Sequence, residues 1–264
     1  MELPKALFFD VFGTCVDWRT TVTDTLDNSA RAALSSQHKQ LDPALRERVS
    51  SWSKDNWASF AQEWRNSYKK FVYSLATDPT LPWKTVDEHH LEALNHLLAA
   101  HKLEGLWNSD ELRDLNLVWH RLAPWSDTAA GLKALNSLTQ TATLSNGNID
   151  LLNDLNTNGH LEFQHVLSGE MFGSYKPSPK VYLGAAARLE LEPRECAMVA
   201  AHLGDLRAAK SCGLRTVYVE RPMEEDWAED DVERAKADGW VDLWVGEEEG
   251  GFVGLAERLA RLRG

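Results

Sequence analysis

The stretch Ala6-Leu7-Phe8-Phe9-Asp10-Val11-Phe12-Gly13-Thr14 decides the fold. Its first four residues form a continuous apolar run, the pattern of a strand buried on both faces in a parallel sheet. The run stops at a carboxylate, followed by a glycine turn and a hydroxyl. An aspartate at the carboxyl end of such a strand points into the crevice where open α/β sheets bind ligands. An unpaired charge is costly there, so Asp10 requires a cationic partner.

Outward from this stretch the pattern turns helical. Val22, Leu26, Ala30, Ala33 and Leu34 recur at helical spacing. After a polar stretch over 35–42, a long amphipathic segment carries Trp57, Phe60, Trp64, Phe71 and Leu75 on one stripe. Further helices are predicted near 89–101 and 110–122, and Pro124 closes the series. No strand is expected between Asp17 and Trp125, and most of the 11 tryptophans fall in this segment. It therefore has an architecture of its own, an all-helical insertion.

From Ser126 onward, strands and helices alternate. Strands are predicted over 141–144, 165–167, 196–201 and 215–219, with an edge strand over 242–245. Helices are predicted over 128–138, after Asn148, over 179–189, over 206–212 and over 253–262. Ser178 offers a capping hydroxyl before Pro179 at a first helical position, and Gly213 stops the helix before it. Such alternation predicts a doubly wound parallel sheet. The acidic run from Glu224 to Glu233 reads as a solvated face.

A chain of 264 residues, 43% hydrophobic and 26% charged, is long enough to bury a substantial core. Its formal net charge of -12 repels polyphosphates and anionic lipid, so neither nucleic acid nor membrane is an expected partner. Cys15, Cys196 and Cys212 are odd in number and lack metal-site spacing. They read as reduced thiols in a cytoplasmic chain. Neither a leader nor a spanning apolar run is read at the start. Two-lobed chains with exposed helices often dimerise, so a homodimer stays open.

The predicted strand ends carry Asp10, Ser145-Asn146 and His202/Asp205, with Lys176 in a nearby loop. In a doubly wound sheet these ends meet along one edge. A nucleophilic carboxylate needs a cation to keep it ionised and donors for the charged part of its substrate. Lys176 offers the cation, and the amides after Asp10 with Ser145 and Asn146 offer the donors. Asp205 is placed to hold Lys176 charged or to orient water.

Asp-x-Phe-Gly-Thr, Ser-Asn-Gly-Asn, Tyr-Lys-Pro with a tyrosine six residues after the lysine, and a late aspartate resemble the haloacid dehalogenase superfamily. Within it they resemble the L-2-haloacid dehalogenase (type II) group. The resemblance covers nearly the whole chain. It implies a Rossmann-like core over 1–16 and 126–264 with a helical cap over 17–125.

The resemblance also implies a cofactor-free, metal-free hydrolysis of a 2-halocarboxylate. Asp10 attacks C2 and expels halide, and water then hydrolyses the aspartyl ester, inverting C2. Lys176 keeps Asp10 ionised. Thr14, Tyr182 and the Val11 and Phe12 amides match positioning groups. Ser145 and Asn146 match contacts to the substrate carboxylate and halide, and Arg65 matches a cap arginine that receives the halide.

Superfamily phosphatases carry an aspartate where this chain has Phe12, and an acidic residue where it has Ala201. Without them a Mg²⁺ site lacks hard oxygen ligands. Ala200 and His202 replace the serine and asparagine of the established dehalogenases, and a histidine there is a donor or a base. Hydrolysis of another carbon–leaving-group bond, a phosphatase, and a non-catalytic binding protein are the alternative functions. Each residue also has a plainer reading. Asp10 and Asp205 cap turns or helices elsewhere, and an arginine beside an apolar stripe, like Arg65, is commonly solvated. Glu88-His89-His90 suggests a metal, but adjacent helical residues do not face one another.

Overall fold

The computed structural model describes residues 2–78 and 80–262. The chain opens with β1 (Ala6–Phe9) and β2 (Val16–Asp17), then enters helices α1 (Trp18–Ser35), α2 (Pro43–Ser50), α3 (Lys54–Thr77), α4 (Val86–Ala100) and α5 (Ser109–Asn116). It continues through β3 (Ala123–Pro124), α6 (Thr128–Asn136), β4 (Gln140–Ser145), α7 (Ile149–Asn158), β5 (His165–Ser168), α8 (Pro179–Arg188) and β6 (Cys196–Ala200). Helix α9 (Leu203–Ser211), β7 (Arg215–Val219), α10 (Glu229–Asp238), β8 (Leu243–Val245) and α11 (Gly251–Ala260) complete it.

Six parallel strands form one sheet in the order β5-β4-β1-β6-β7-β8. Strand β1 is central, with Phe9 in register with Thr143 on one side and Val199 on the other. Its side chains alternate as a pleat requires. Leu7 and Phe9 enter an apolar cluster that continues through Trp18 into the helical segment. Ala6 and Phe8 enter a second cluster on the opposite face, with Val181, Tyr182 and Met198. Both faces are covered, which is why the run carries no polar residue before Asp10. The chain winds one way from β1 through β4 to β5, then crosses to β6 and winds the other way. This reversal beside β1 opens a crevice at the carboxyl ends of the strands.

Helices α1 to α5 start at side-chain caps. Asp17 accepts from the Thr20 amide at 3.0 Å, and Thr85 pairs with Glu88 and Asn108 with Glu111 in reciprocal boxes. Glu88 is thus a capping residue. His89 bonds Ser67 and stacks on Phe71, while His90 stacks on Trp119. Helix α3 packs between α1 and α4. Its buried stripe follows Trp57, Phe60, Trp64, Tyr68 and Val72, leaving Phe71 and Leu75 at the flank. His120 joins this layer to the sheet side, with Nδ1 2.7 Å from Asp154 of α7 and Nε2 3.1 Å from Asp87 of α4.

Several elements differ from the sequence expectation. Val16–Asp17 pairs antiparallel with Ala123–Pro124, a short ribbon inside a segment expected to lack strands. Two residues carry no alternation, so no pattern could announce it. Helix α2 was not expected; Asp42 caps it and Pro43 opens it. Ser178 precedes α8 as expected, but its hydroxyl makes no capping bond.

Gly131 of α6 lies against α11, where a Cβ would stand 2.3 Å from Phe252 Cβ and 2.6 Å from its carbonyl carbon. Alanine in a helix is ordinarily worth about 1 kcal/mol over glycine. Here the overlap outweighs it, because overpacking costs about 1–3 kcal/mol. Gly131→Ala is expected to lower the urea midpoint; an unchanged or raised midpoint would show that α6 and α11 can move apart freely.

Candidate active site

Asp10 follows the last residue of β1, and its amide donates to the Val199 carbonyl at 3.0 Å. This fixes the backbone and turns the carboxylate out of the sheet edge. Its side chain is 12% exposed and meets donors on both oxygens. Lys176 Nζ donates to Oδ1 at 3.0 Å. Thr14 Oγ1 donates to Oδ2 at 2.8 Å, and His202 Nδ1 lies 3.1 Å from that oxygen. The Thr14 hydroxyl itself accepts from the Ala201 amide, locking the turn to the end of β6. Within the turn, Gly13 donates to Val16, and Cys15 and Val16 donate to the Val11 carbonyl. The Val11 and Phe12 amides make none of these internal bonds.

Lys176 Nζ also donates to Asp205 Oδ2 at 2.6 Å, and Tyr182 OH donates to Asp205 Oδ1 at 2.5 Å. Asn146 grips the lysine's backbone at both ends: Oδ1 accepts from the Lys176 amide at 2.7 Å and Nδ2 donates to its carbonyl at 3.1 Å. Burial pushes the Asp10 carboxyl up, but the ammonium of Lys176 and the ring of His202 outweigh it and hold it far below the ordinary carboxylate range. Lys176 is raised: burial opposes its charge, and the carboxylates of Asp10 and Asp205 overcome that.

A cavity of about 350 Å³ opens over these groups, lined among others by Asp10, Arg65, Tyr68, Asn146, Lys176 and His202. Arg65 reaches it from α3. It is 4% exposed, not solvated, and its guanidinium carbon lies 4.7 Å from the Tyr68 ring centre and 5.3 Å from that of Phe12. Its Nη2 is 3.5 Å from the Phe12 carbonyl, while Nε and Nη1 have no hydrogen-bond partner. A buried cation with unused donors beside a cavity is an anion site in waiting. A groove of about 800 Å³ between α9 and α10 is larger, but its polar side chains are not buried.

The structure thus gathers Asp10, Thr14, Lys176, Tyr182, His202 and Asp205 into one bonded cluster, with Arg65 and Asn146 on the same cavity. Ser145 is fully buried outside that wall, and its hydroxyl accepts from the Gly147 amide at 3.2 Å. Its short side chain is used in shaping the turn rather than in lining the cavity. The sequence reading also missed Glu224. It is 5% exposed, not on a solvated face, and its Oε2 accepts from Trp18 Nε1 at 3.1 Å. It lies beyond β7 at the head of an acidic run, where nothing in the pattern sets it apart from a solvated carboxylate.

The protein-family model for haloacid dehalogenase-like hydrolases matches residues 4–213. The chain belongs to this family. A curated relative, (S)-2-haloacid dehalogenase 1 of Pseudomonas sp. (strain CBS-3), is 28% identical over 227 residues, 84% of this chain and 86% of the relative. The crystal structure of a defluorinating L-2-haloacid dehalogenase superposes with a TM-score of 0.80 at 31% identity, over 97% of this chain and 95% of the other. That of another L-2-haloacid dehalogenase gives 0.78 at 32%, over 98% and 99%. The six-stranded sheet with its inserted helical layer is the haloacid dehalogenase fold. Among the described residues, no helix is long and apolar enough to cross a membrane.

Burial lowers the proton affinity of His202, but the carboxylates of Asp10 and Glu224 overcome this and raise its pKa from 6.5 to about 9. The folded-state value therefore lies above the unfolded one. The ring's contribution to stability is full below pH 6.5 and is lost as pH rises through about 9. Unfolding free energies measured for the wild type and His202→Asn are expected to converge across that window. A gap that does not narrow there would mean the ring is neutral at neutral pH.

Proposed function

We propose that this enzyme hydrolyses short 2-halocarboxylates to 2-hydroxy acids through an ester on Asp10. One observation carries the reading: a buried carboxylate held anionic on one wall of a small cavity, and a buried guanidinium with unused donors on the same cavity. A displacement at carbon needs this pair, a nucleophile that is never protonated and a receptor for the departing anion. The names of the relatives support it, as they are dehalogenases of 2-haloacids and match this chain over most of its length.

Asp10 attacks C2, the carbon–halogen bond breaks, and halide departs toward Arg65. Water then attacks the ester carbonyl, so C2 inverts once. Lys176 keeps Asp10 ionised, and Asp205 and Tyr182 hold Lys176. Thr14 aims the carboxylate. The free amides of Val11 and Phe12 receive the substrate carboxylate with Asn146, while Ser145 acts through the Gly147 turn. Residues 1–16 and 126–264 serve as the catalytic core and 17–125 as the cap. The acid substrate is small, the enzyme works in the cytoplasm, and neither nucleic acid nor membrane takes part.

A Mg²⁺-dependent phosphatase fits these residues poorly. Lys176 occupies the space between Asp10 and Asp205 that a shared cation would need, and Phe12 and Ala201 offer no oxygen ligand. Among the described residues no group of three His, Cys, Asp or Glu side chains is arranged to hold a metal.

Chloride release from L-2-chloropropionate is expected to persist in EDTA and to fall by roughly 10³-fold or more in Asp10→Asn. Arg65→Ala should lower kcat more than it raises KM, because an interaction with leaving halide exists only late in the reaction. Halide release indifferent to Asp10→Asn, or phosphate release that EDTA abolishes, would sink the reading.

A further inference from the structure

Glu224 has no part in the reaction as written, yet it is buried against the site. Its Oε2 lies 3.4 Å from His202 Nε2, an ion-pair distance without hydrogen-bond alignment. Trp18 Nε1 anchors the same oxygen, and Arg19 Nη2 stands 3.9 Å from Oε1. Gly13, at φ +85°, makes room for it, since a Cβ there would fall 1.9 Å from Oε2. Asp10 Oδ2, the His202 ring and Glu224 therefore form a continuous carboxylate–imidazole–carboxylate chain.

We infer that Glu224 is a positioning residue for the second half-reaction: it fixes the tautomer of His202, so that Nδ1 becomes the base for water once Asp10 is an ester. This rests on the dehalogenase reading above. In the free enzyme the ring sits between two carboxylates and holds both protons, so it is no base. Alkylation removes the charge of Asp10. The Nδ1 proton then faces an uncharged ester and passes to solvent, while the Nε2 proton still faces Glu224. The remaining lone pair on Nδ1 lies beside the ester carbon. An orienting carboxylate on the far nitrogen is how a histidine base is held in its working tautomer, and Glu224 stands there at ion-pair distance.

The protons balance. Water oxygen bonds to Cγ as one water proton passes to Nδ1. That proton goes to the substrate oxygen as the Cγ–O bond breaks, releasing the hydroxy acid. The second water proton, left on the Asp10 carboxyl, returns to His202 and restores the starting pair. Each turnover yields one halide and one proton.

Other charged groups near the ring are already engaged. Asp205 in α9 is bonded to Lys176 and Tyr182, and Asp226 after β7 is paired with Lys69 of α3 at 2.7 Å. Lys176 ahead of α8 is bonded to Asp10, and Arg65 of α3 carries the same charge sign as the imidazolium. Glu224 is the carboxylate left to answer Nε2.

The test compares wild type, E224Q, E224D, H202N and H202N/E224Q on L-2-chloropropionate by rapid quench and mass spectrometry. E224Q is expected to keep the first-turnover chloride burst within about threefold. Its steady-state rate should fall about 10²-fold, the lower end of general acid–base contributions, with the Asp10 ester accumulating. The rising limb of its kcat–pH profile should move to lower pH, since the ring loses a stabilising charge. E224D should recover part of the rate, and E224Q should add nothing in the H202N background. Loss of the burst together with turnover, an E224Q rate equal to wild type, or an equal E224Q effect in H202N would overturn the inference alone. Wild type releasing no halide would overturn the dehalogenase reading and this inference with it.

Discussion

The ammonium of Lys176, wedged between Asp10 and Asp205, is the contact on which the site depends. Two carboxylates this close to one another and to an apolar sheet edge would otherwise be driven to share a proton. With Lys176 on one oxygen and His202 on the other, Asp10 stays anionic although buried. Such an arrangement is not a gift to stability. Desolvating ions costs several kcal/mol each, and well-packed apolar residues often do as well or better. What it supplies is a carboxylate whose surroundings are already arranged for charge, with little left to reorganise during reaction.

That arrangement is held by a second tier of contacts. Asn146 clamps the backbone of Lys176 from the end of β4, and Thr14 ties the turn after β1 to the end of β6. Arg221 braces the same turn from outside: Nε donates to the Thr14 carbonyl at 3.0 Å, and its two terminal nitrogens form a fork on Asp127. Asp127 in turn accepts from the Phe252 amide at the start of α11. A planar, always-charged fork suits a position where three loops must keep one spacing. The sheet places β1, β4 and β6 side by side, and these bonds turn that coarse placement into fixed angles.

The core elements were legible because each carries a periodic signal. The run over Ala6–Phe9 and the strand–helix alternation after Ser126 appear as expected, with boundaries moved by a few residues. Lys176 and Asp205 were legible because lone charges beside predicted strand ends have few other uses. Two things were hidden, the β2–β3 ribbon and Glu224, and Arg65 was legible only through the family resemblance. The β2–β3 ribbon is too short to alternate. Arg65 looks like any arginine flanking an apolar stripe until the opposing Phe12, Trp18 and Tyr68 rings are in place. Glu224 was masked by its neighbours, since a carboxylate heading an acidic run is indistinguishable from a solvated one until Trp18 and His202 close on it.

Phe12 shows how one position bears on both halves of the chemistry. Its ring is a platform for Arg65, 5.3 Å from the guanidinium carbon, and its carbonyl is the acceptor nearest to that side chain's Nη2. A carboxylate in its place would pair with the guanidinium and occupy the nitrogens now unused. It would also add a negative charge beside Asp10, opposing approach of an anionic acid. The same exchange would supply the oxygen ligand that a divalent cation lacks here. On the reading proposed above, the apolar ring is therefore not a mere loss of a phosphatase group. It keeps Arg65 free for an anion and leaves Lys176 as the counter-charge on Asp10 Oδ1, so that one side chain excludes one reaction and permits the other.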